Sequence, residues 1–200
     1  MNAPDAGHRY FLINKPYGML SQFIGSEKRR MLGTLHFDFP EGTHAIGRLD
    51  AESEGLLLLT TDKRITRLLF LSGTPHRRTY LVMVKNVVNG DTLRQLQTGV
   101  SIRIHEGADY ITPPCEVEIV EKPAGLFSGA FEHLEQWPHT WLKITLTEGK
   151  YHQVRKMVAA VRHRCQRLIR LSIEDMELGG LQPGEVREVD GATFFQKLKL

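Results

Sequence analysis

Gly47-Arg48-Leu49-Asp50-Ala51-Glu52-Ser53-Glu54-Gly55-Leu56-Leu57-Leu58-Leu59-Thr60-Thr61-Asp62 is the stretch from which the rest of the chain is best read. The run 56–59 does not alternate with polar residues, so it is expected to form a strand buried on both faces. A loop dense in charge, with a glycine at either end, hangs directly from that rigid element. Catalytic groups are commonly carried on loops held by such scaffolds. Asp50 lies two residues from Arg48, and a nearby cation keeps a carboxylate ionised. The plainer alternative is that Asp50 caps a turn or pairs with Arg48, while Glu52 and Glu54 are simply solvated.

Working outward, β-rich runs broken by turn chemistry predict strands over 10–13, 56–60, 79–85, 101–104, 115–120, 140–147 and 167–171. A further strand, 185–189, follows the Pro183-Gly184 turn. Three helices are expected. Asp62 caps one that turns Ile65, Leu68 and Leu69 inward and stops at Gly73 and Pro75. Asp91 caps 92–97, which ends at Gly99. Val154, Met157, Val158 and Val161 fall at i, i+3, i+4 and i+7, the stripe of a helix packed on a core. Strands outnumber helices and do not alternate with them regularly, which predicts an α+β fold with a largely antiparallel sheet. The expected halves are 1–72 with the C-terminal segment, and 73–147, with the seam in 71–78. The stretch 122–139 reads as a long loop.

Composition narrows the function classes. Hydrophobic residues are 41% of 200 and charged residues 24%, enough for a packed core and incompatible with a wholly disordered chain. The longest aliphatic run is far short of the roughly 20 residues a membrane span needs, and 1–6 lack the features of a signal peptide. A soluble protein of the cytoplasm, acting as a monomer, is expected. Cys115 and Cys165 have no C-x-x-C spacing, which argues against a disulfide scaffold or zinc knuckle. Dinucleotide, Walker, nucleophile-elbow and H-E-x-x-H motifs are missing, and the nine histidines show no three-ligand spacing. Neither a metal nor a cofactor is expected.

Charge is uneven. Between Glu148 and Arg170 lie Lys150, Arg155, Lys156, Arg162, Arg164, Arg167 and Arg170 against Glu148 alone, although the whole chain is only +3. A local basic patch is the footprint of a polyanion partner, or else a solvated helix face. Within it, Thr147-Glu148-Gly149-Lys150-Tyr151-His152-Gln153-Val154-Arg155-Lys156-Met157 runs from a strand through a glycine turn into the amphipathic helix. That order aims backbone N–H groups and cations at one point, with Gln153 and Arg155 in the first turn. His76-Arg77-Arg78-Thr79-Tyr80 sets an aromatic beside cations, which suits base stacking with phosphate contact. Taken alone, it also fits a core tyrosine at a strand start.

Together these segments resemble the bacterial pseudouridine synthases of the RsuA family, which isomerise selected uridines of ribosomal RNA. Ile13-Asn14-Lys15-Pro16-Tyr17-Gly18-Met19-Leu20 resembles the family's K-P-x-G motif, and Gly47-Arg48-Leu49-Asp50 through Leu59 its catalytic motif. Arg78-Thr79-Tyr80 is similar to its basic-x-Tyr motif, and Glu148 through Met157 to its E-G-x-x-x-Q-V-R motif. Leu168-Ile169-Arg170-Leu171 and Leu181-Gln182-Pro183-Gly184-Glu185 resemble its closing pattern. Most relatives carry a small S4-type RNA-binding domain before the first motif. Here only about a dozen residues precede it, so a single catalytic domain over 1–200 is expected, similar to compact members acting on 23S rRNA.

The resemblance implies a synthase fold with its active-site cleft between two halves, no metal and no cofactor. It implies roles residue by residue: Asp50 the nucleophile, Tyr80 the ring that stacks on the target base, and Arg155 the cation that keeps the carboxylate ionised. Arg48 is implied to fill the gap left by the flipped uridine, and Leu171 to wall the pocket. Lys15, Arg78, Lys150, Gln153 and Lys156 complete the expected substrate- and RNA-binding set. Two other functions compete: a non-catalytic RNA-binding or ribosome-assembly protein, and an RNA or nucleoside glycosidase. Hydrolysis releases free uracil, whereas isomerisation conserves mass.

Overall fold

The leucine run forms the strand its composition requires: all seven residues of Glu54–Thr60 are buried. The structure, a computed structural model, describes residues 7–25, 28–70, 73–104 and 107–200. In chain order its elements are β1 (Tyr10–Lys15), β2 (Met19–Leu20), β3 (Arg30–Met31), β4 (His44–Ala45), β5 (Glu54–Thr60), α1 (Arg64–Phe70), β6 (Arg78–Lys85) and α2 (Gly90–Thr98). Then follow β7 (Ser101–Arg103), β8 (Asp109–Ile111), β9 (Glu116–Val120), β10 (His139–Leu146), α3 (Gln153–Ala160), β11 (Cys165–Ile173), β12 (Met176–Glu177), β13 (Val186–Val189) and α4 (Gly191–Leu198). The expected α+β class with a mostly antiparallel sheet is what forms.

The chain divides into two compact units, 1–76 with 170–200, and 77–169, and β11 crosses from the second into the first. The sequence-based halves ended the second at 147. The difference is α3, whose Val154, Met157 and Val158 are buried with Val82, Leu142, Ile144 and Leu168 in the second unit's core. Part of the expected seam, 71–72, lies outside the described residues.

In the first unit the strand order is β13-β1-β5-β11. β1 pairs antiparallel with β5, with Leu12 opposite Leu58 and Lys15 opposite Gly55. β1 is buried throughout because each face has its own cover. Tyr10 stacks on Phe194 of α4, with ring centroids 4.6 Å apart, while Phe11 meets Phe37 and Phe39 edge-on. Helix α4 is absent from the sequence-based expectation; Asp190 caps it by accepting from the Thr193 N–H at 2.9 Å.

In the second unit the order is β11-β6-β10-β9. β6 and β10 pair antiparallel, with Tyr80 opposite Ile144 and Thr79 opposite Thr145. The cap of α2 is Asn89, which accepts from the Thr92 N–H at 2.8 Å; Asp91, the expected cap, instead pairs with Arg94 one turn on. The long loop 121–138 is pinned by Arg167. That fully buried guanidinium lies over the Phe127 ring at 4.9 Å and donates to the Phe127 carbonyl at 3.0 Å. Lys122 and Glu135 close the loop nearer its base with a 2.8 Å ion pair.

The basic run is thinner at the surface than its charge count suggests. Arg167 and Arg170 are buried, Arg170 donating to the Leu56 carbonyl at 2.7 Å, while Lys150, Arg162 and Arg164 are exposed. Among the described residues no helix is long and apolar enough to cross a membrane.

Candidate active site

The loop bearing Asp50 enters through Gly47, which only glycine satisfies. Its φ is +69°, and a Cβ there would lie 2.5 Å from Cε2 of Phe70. Next come exposed Arg48, buried Leu49, half-buried Asp50 and buried Ala51. The backbone on either side of Asp50 is clasped. Ser21 Oγ donates to the Leu49 carbonyl at 2.7 Å and accepts from the Leu49 N–H at 3.0 Å. The Gly18 N–H donates to the Ala51 carbonyl at 2.7 Å, and the Ser53 N–H closes a turn on the Asp50 carbonyl at 3.0 Å. Asp50 therefore springs from a backbone of fixed position, with part of its surface open to solvent.

Lys15 belongs to this brace. Its place opposite Gly55 puts it where the loop joins β5. It is completely buried, and its Nζ donates to the carbonyls of Met19 at 2.7 Å, Pro16 at 3.0 Å and Ala51 at 3.4 Å. Burial pushes its ammonium down to about 7, against the opposing pull of Glu54 and Asp50. An amine so enclosed positions the loop and does not reach out to RNA. Leu171, on β11, is half-buried in the same unit.

In the second unit, Tyr80 is half-buried and packs against the core of β6, β10 and α3. Arg78 is buried, with its guanidinium beside Gly149, where a Cβ would lie 3.7 Å from Nη1. Its neighbour Arg77 is exposed and forms a bidentate pair with Glu116 at 2.7 and 2.6 Å, holding that carboxyl below its usual range.

The turn 148–152 is organised by Gln153, which is buried and uses both ends of its amide. Its Oε1 accepts from the Lys150 N–H at 2.8 Å and its Nε2 donates to Glu148 Oε1 at 2.5 Å. The Tyr110 hydroxyl donates to the other Glu148 oxygen at 2.5 Å, which raises the tyrosine's pKa. Gln153 thus shapes the turn from inside. Lys150 stands exposed with Nζ 5.0 Å over the Tyr110 ring, and half-buried Lys156 sits 5.1 Å over Tyr151. Half-buried Arg155 points Nη1 at Cys165 Sγ, 3.6 Å away, and burial pushes that thiol up to about 11. A thiol with so high a pKa is inert as a nucleophile.

Sequence reasoning missed Ser21 and Tyr110. Neither stands in a recognisable motif, and each reaches its partner across a long sequence separation.

Residues 9–160 match the family described as RNA pseudouridylate synthase, and the chain belongs to that family. It is an enzyme of the class that isomerises uridine in RNA to pseudouridine. Among curated relatives it is 36% identical over 191 residues to the ribosomal large subunit pseudouridine synthase E of Vibrio vulnificus, covering 92% of this chain and 76% of that protein. It is 31% identical over 186 residues to the ribosomal small subunit pseudouridine synthase A of Escherichia coli, covering 92% and 72%. A solved pseudouridylate synthase superposes with a TM-score of 0.77 at 27% identity, covering 96% of this chain and 74% of that one.

Proposed function

We propose that this chain converts a uridine of ribosomal RNA, in the large-subunit 23S molecule, to pseudouridine, with Asp50 as the nucleophile. The observation that carries the reading is the clasped loop: Asp50 is half-buried between buried Leu49 and Ala51, whose backbones are held by Ser21, Gly18 and Lys15. The choice of 23S over 16S RNA is supported by the relatives named for the large subunit that match over most of the chain.

The chemistry asks three things of these residues. The uridine must leave the stack, at a cost of a few kcal/mol, before its glycosidic bond is reachable. Phosphate contacts from exposed cations such as Lys150 and half-buried Lys156 offset that cost, and Arg48 is proposed to occupy the vacated position. Tyr80 is proposed to stack on the extruded base, with Leu171 as apolar wall, and Arg155 to supply positive charge to the reaction. Attack by the carboxylate divides one hard step into two easier ones. The sugar–nitrogen bond breaks, the uracil turns, and a sugar–carbon bond forms as the bond to Asp50 is released; the attacked ring carbon loses a proton and the freed ring nitrogen gains one, so mass is conserved. Lys15 and Gln153 serve the reaction as positioning residues, since both are buried with their polar atoms bound to the protein.

The test is to map pseudouridine by carbodiimide adducts and primer extension in ribosomal RNA from cells lacking the protein, complemented by wild type or Asp50→Asn. One 23S position is expected to lose its signal and regain it only with wild type. Restoration by folded Asp50→Asn would remove Asp50 from the nucleophile's role, and free uracil among the products would mean hydrolysis.

A further inference from the structure

Tyr151 and His152 stand at the start of α3 with their rings stacked, centroids 3.9 Å apart and planes 19° from parallel. Tyr151 is 65% exposed, the most open aromatic ring among the described residues. The pair is maintained against local preference. His152 is the N-cap of α3, where Ser, Thr, Asp or Asn would bond the first turn, yet it makes no side-chain cap bond. It also holds a left-handed backbone, φ 54° and ψ 30°, a region that non-glycine residues seldom enter, though His does so more readily than most. The side chain of Gln153 ties the turn in its place.

Two cations flank the pair. Lys150 is exposed and Lys156 half-buried, each resting over a tyrosine ring, and neither is ion-paired among the described residues. An exposed cation–π contact is weaker than the stacking of a nucleobase on an aromatic ring, so a base can displace Lys156 from Tyr151. The freed ammonium then lies within reach of that nucleotide's phosphate. Aromatic rings interleaved with mobile cations are the arrangement that binds single-stranded RNA.

We propose that Tyr151, backed by His152, is a stacking platform for an unpaired base of the RNA other than the uridine being isomerised, with Lys156 and Lys150 taking its phosphates. This rests on the RNA-modifying reading above. The platform would favour targets beside unpaired nucleotides over targets in continuous duplex.

The experiment titrates the full chain with a short single-stranded RNA carrying 2-aminopurine and with a matched duplex. Wild type is expected to quench the fluorescent base on the single strand. Tyr151→Ala should weaken single-strand binding about tenfold, leave duplex binding unchanged and preserve the salt slope. Tyr151→Phe should bind as wild type, and Lys156→Ala should lower the single-strand salt slope by about 0.7. Any one of three results overturns the platform: no quenching with wild type, equal losses on single strand and duplex for Tyr151→Ala, or Tyr151→Phe failing as badly as Tyr151→Ala. The RNA-modifying reading fails separately, if wild type restores no pseudouridine in the mapping experiment.

Discussion

Loop 47–53 and turn 148–152 each hang from a buried strand, but they are fixed by opposite parts of their residues. In the first, the backbone is held: the carbonyls of Leu49 and Ala51 and the Leu49 N–H are taken by Ser21, Gly18 and Lys15. The side chains of Arg48 and Asp50 are left to face outward or partly outward. In the second, side chains hold the turn, through the Tyr110–Glu148–Gln153 relay, and the exposed residues are Gly149, Lys150 and Tyr151. The first arrangement fixes in space the backbone from which Asp50 springs, as the nucleophile proposed above needs. The second presents a rigid base with adaptable tips, as contact with a variable polymer needs.

The glycines give the sharpest break between the two. Gly47→Ala meets both a left-handed φ and the Phe70 ring, and should cost about 2–5 kcal/mol. Gly149→Ala meets only an ordinary contact 3.7 Å from Arg78 and should fall within about 0.5 kcal/mol of wild type. Urea unfolding of both variants checks the pair, and equal losses would erase the distinction.

Lys15 supplies a pH signature confined to the first unit. Its folded pKa near 7 lies below its ordinary 10.5, so between those values the unfolded chain binds the extra proton. Stability should therefore rise with pH through that window, by on the order of a few kcal/mol, and be flat with respect to this group below it. Lys15→Met should abolish the rise, read from urea midpoints at neutral and alkaline pH. Gln153→Ala removes the keystone of the second turn and should cost about 1–3 kcal/mol. Its RNA affinity should fall more than its turnover at saturating RNA. Ser21→Ala, losing two bonds to Leu49, should cost about 1 kcal/mol. Its signature should be reversed: lower kcat with unchanged Kd for RNA.

What was legible in the sequence is what local pattern controls. The unalternating run 56–59 announces a doubly covered strand, and the spacing of Val154, Met157 and Val158 announces α3. Helix α4 escaped because adjacent Phe194 and Phe195 in a short segment do not advertise helical spacing; Tyr10, almost the whole chain away, supplies their partner. Charge counting overstated the basic surface because it cannot see Arg167 and Arg170 buried, each donating to an internal carbonyl. The candidate residues were legible as motifs, but their division into inward braces (Lys15, Gln153) and outward groups (Arg48, Lys150) depends on burial. No spacing rule encodes that.

The Arg167 clasp on Phe127 has an entropic consequence. A single buried anchor partitions the segment 121–138 into two short tethers, so that once it forms each tether closes over only part of the span. Gly129 marks the knot: any Cβ there would lie 2.7 Å from Arg167 Nη2. Extra residues inserted at exposed Gln136 or Trp137 lengthen one tether and should cost little, because closure entropy grows only slowly with length. The same insertion at Phe127–Gly129 would undo the knot and release both tethers at once.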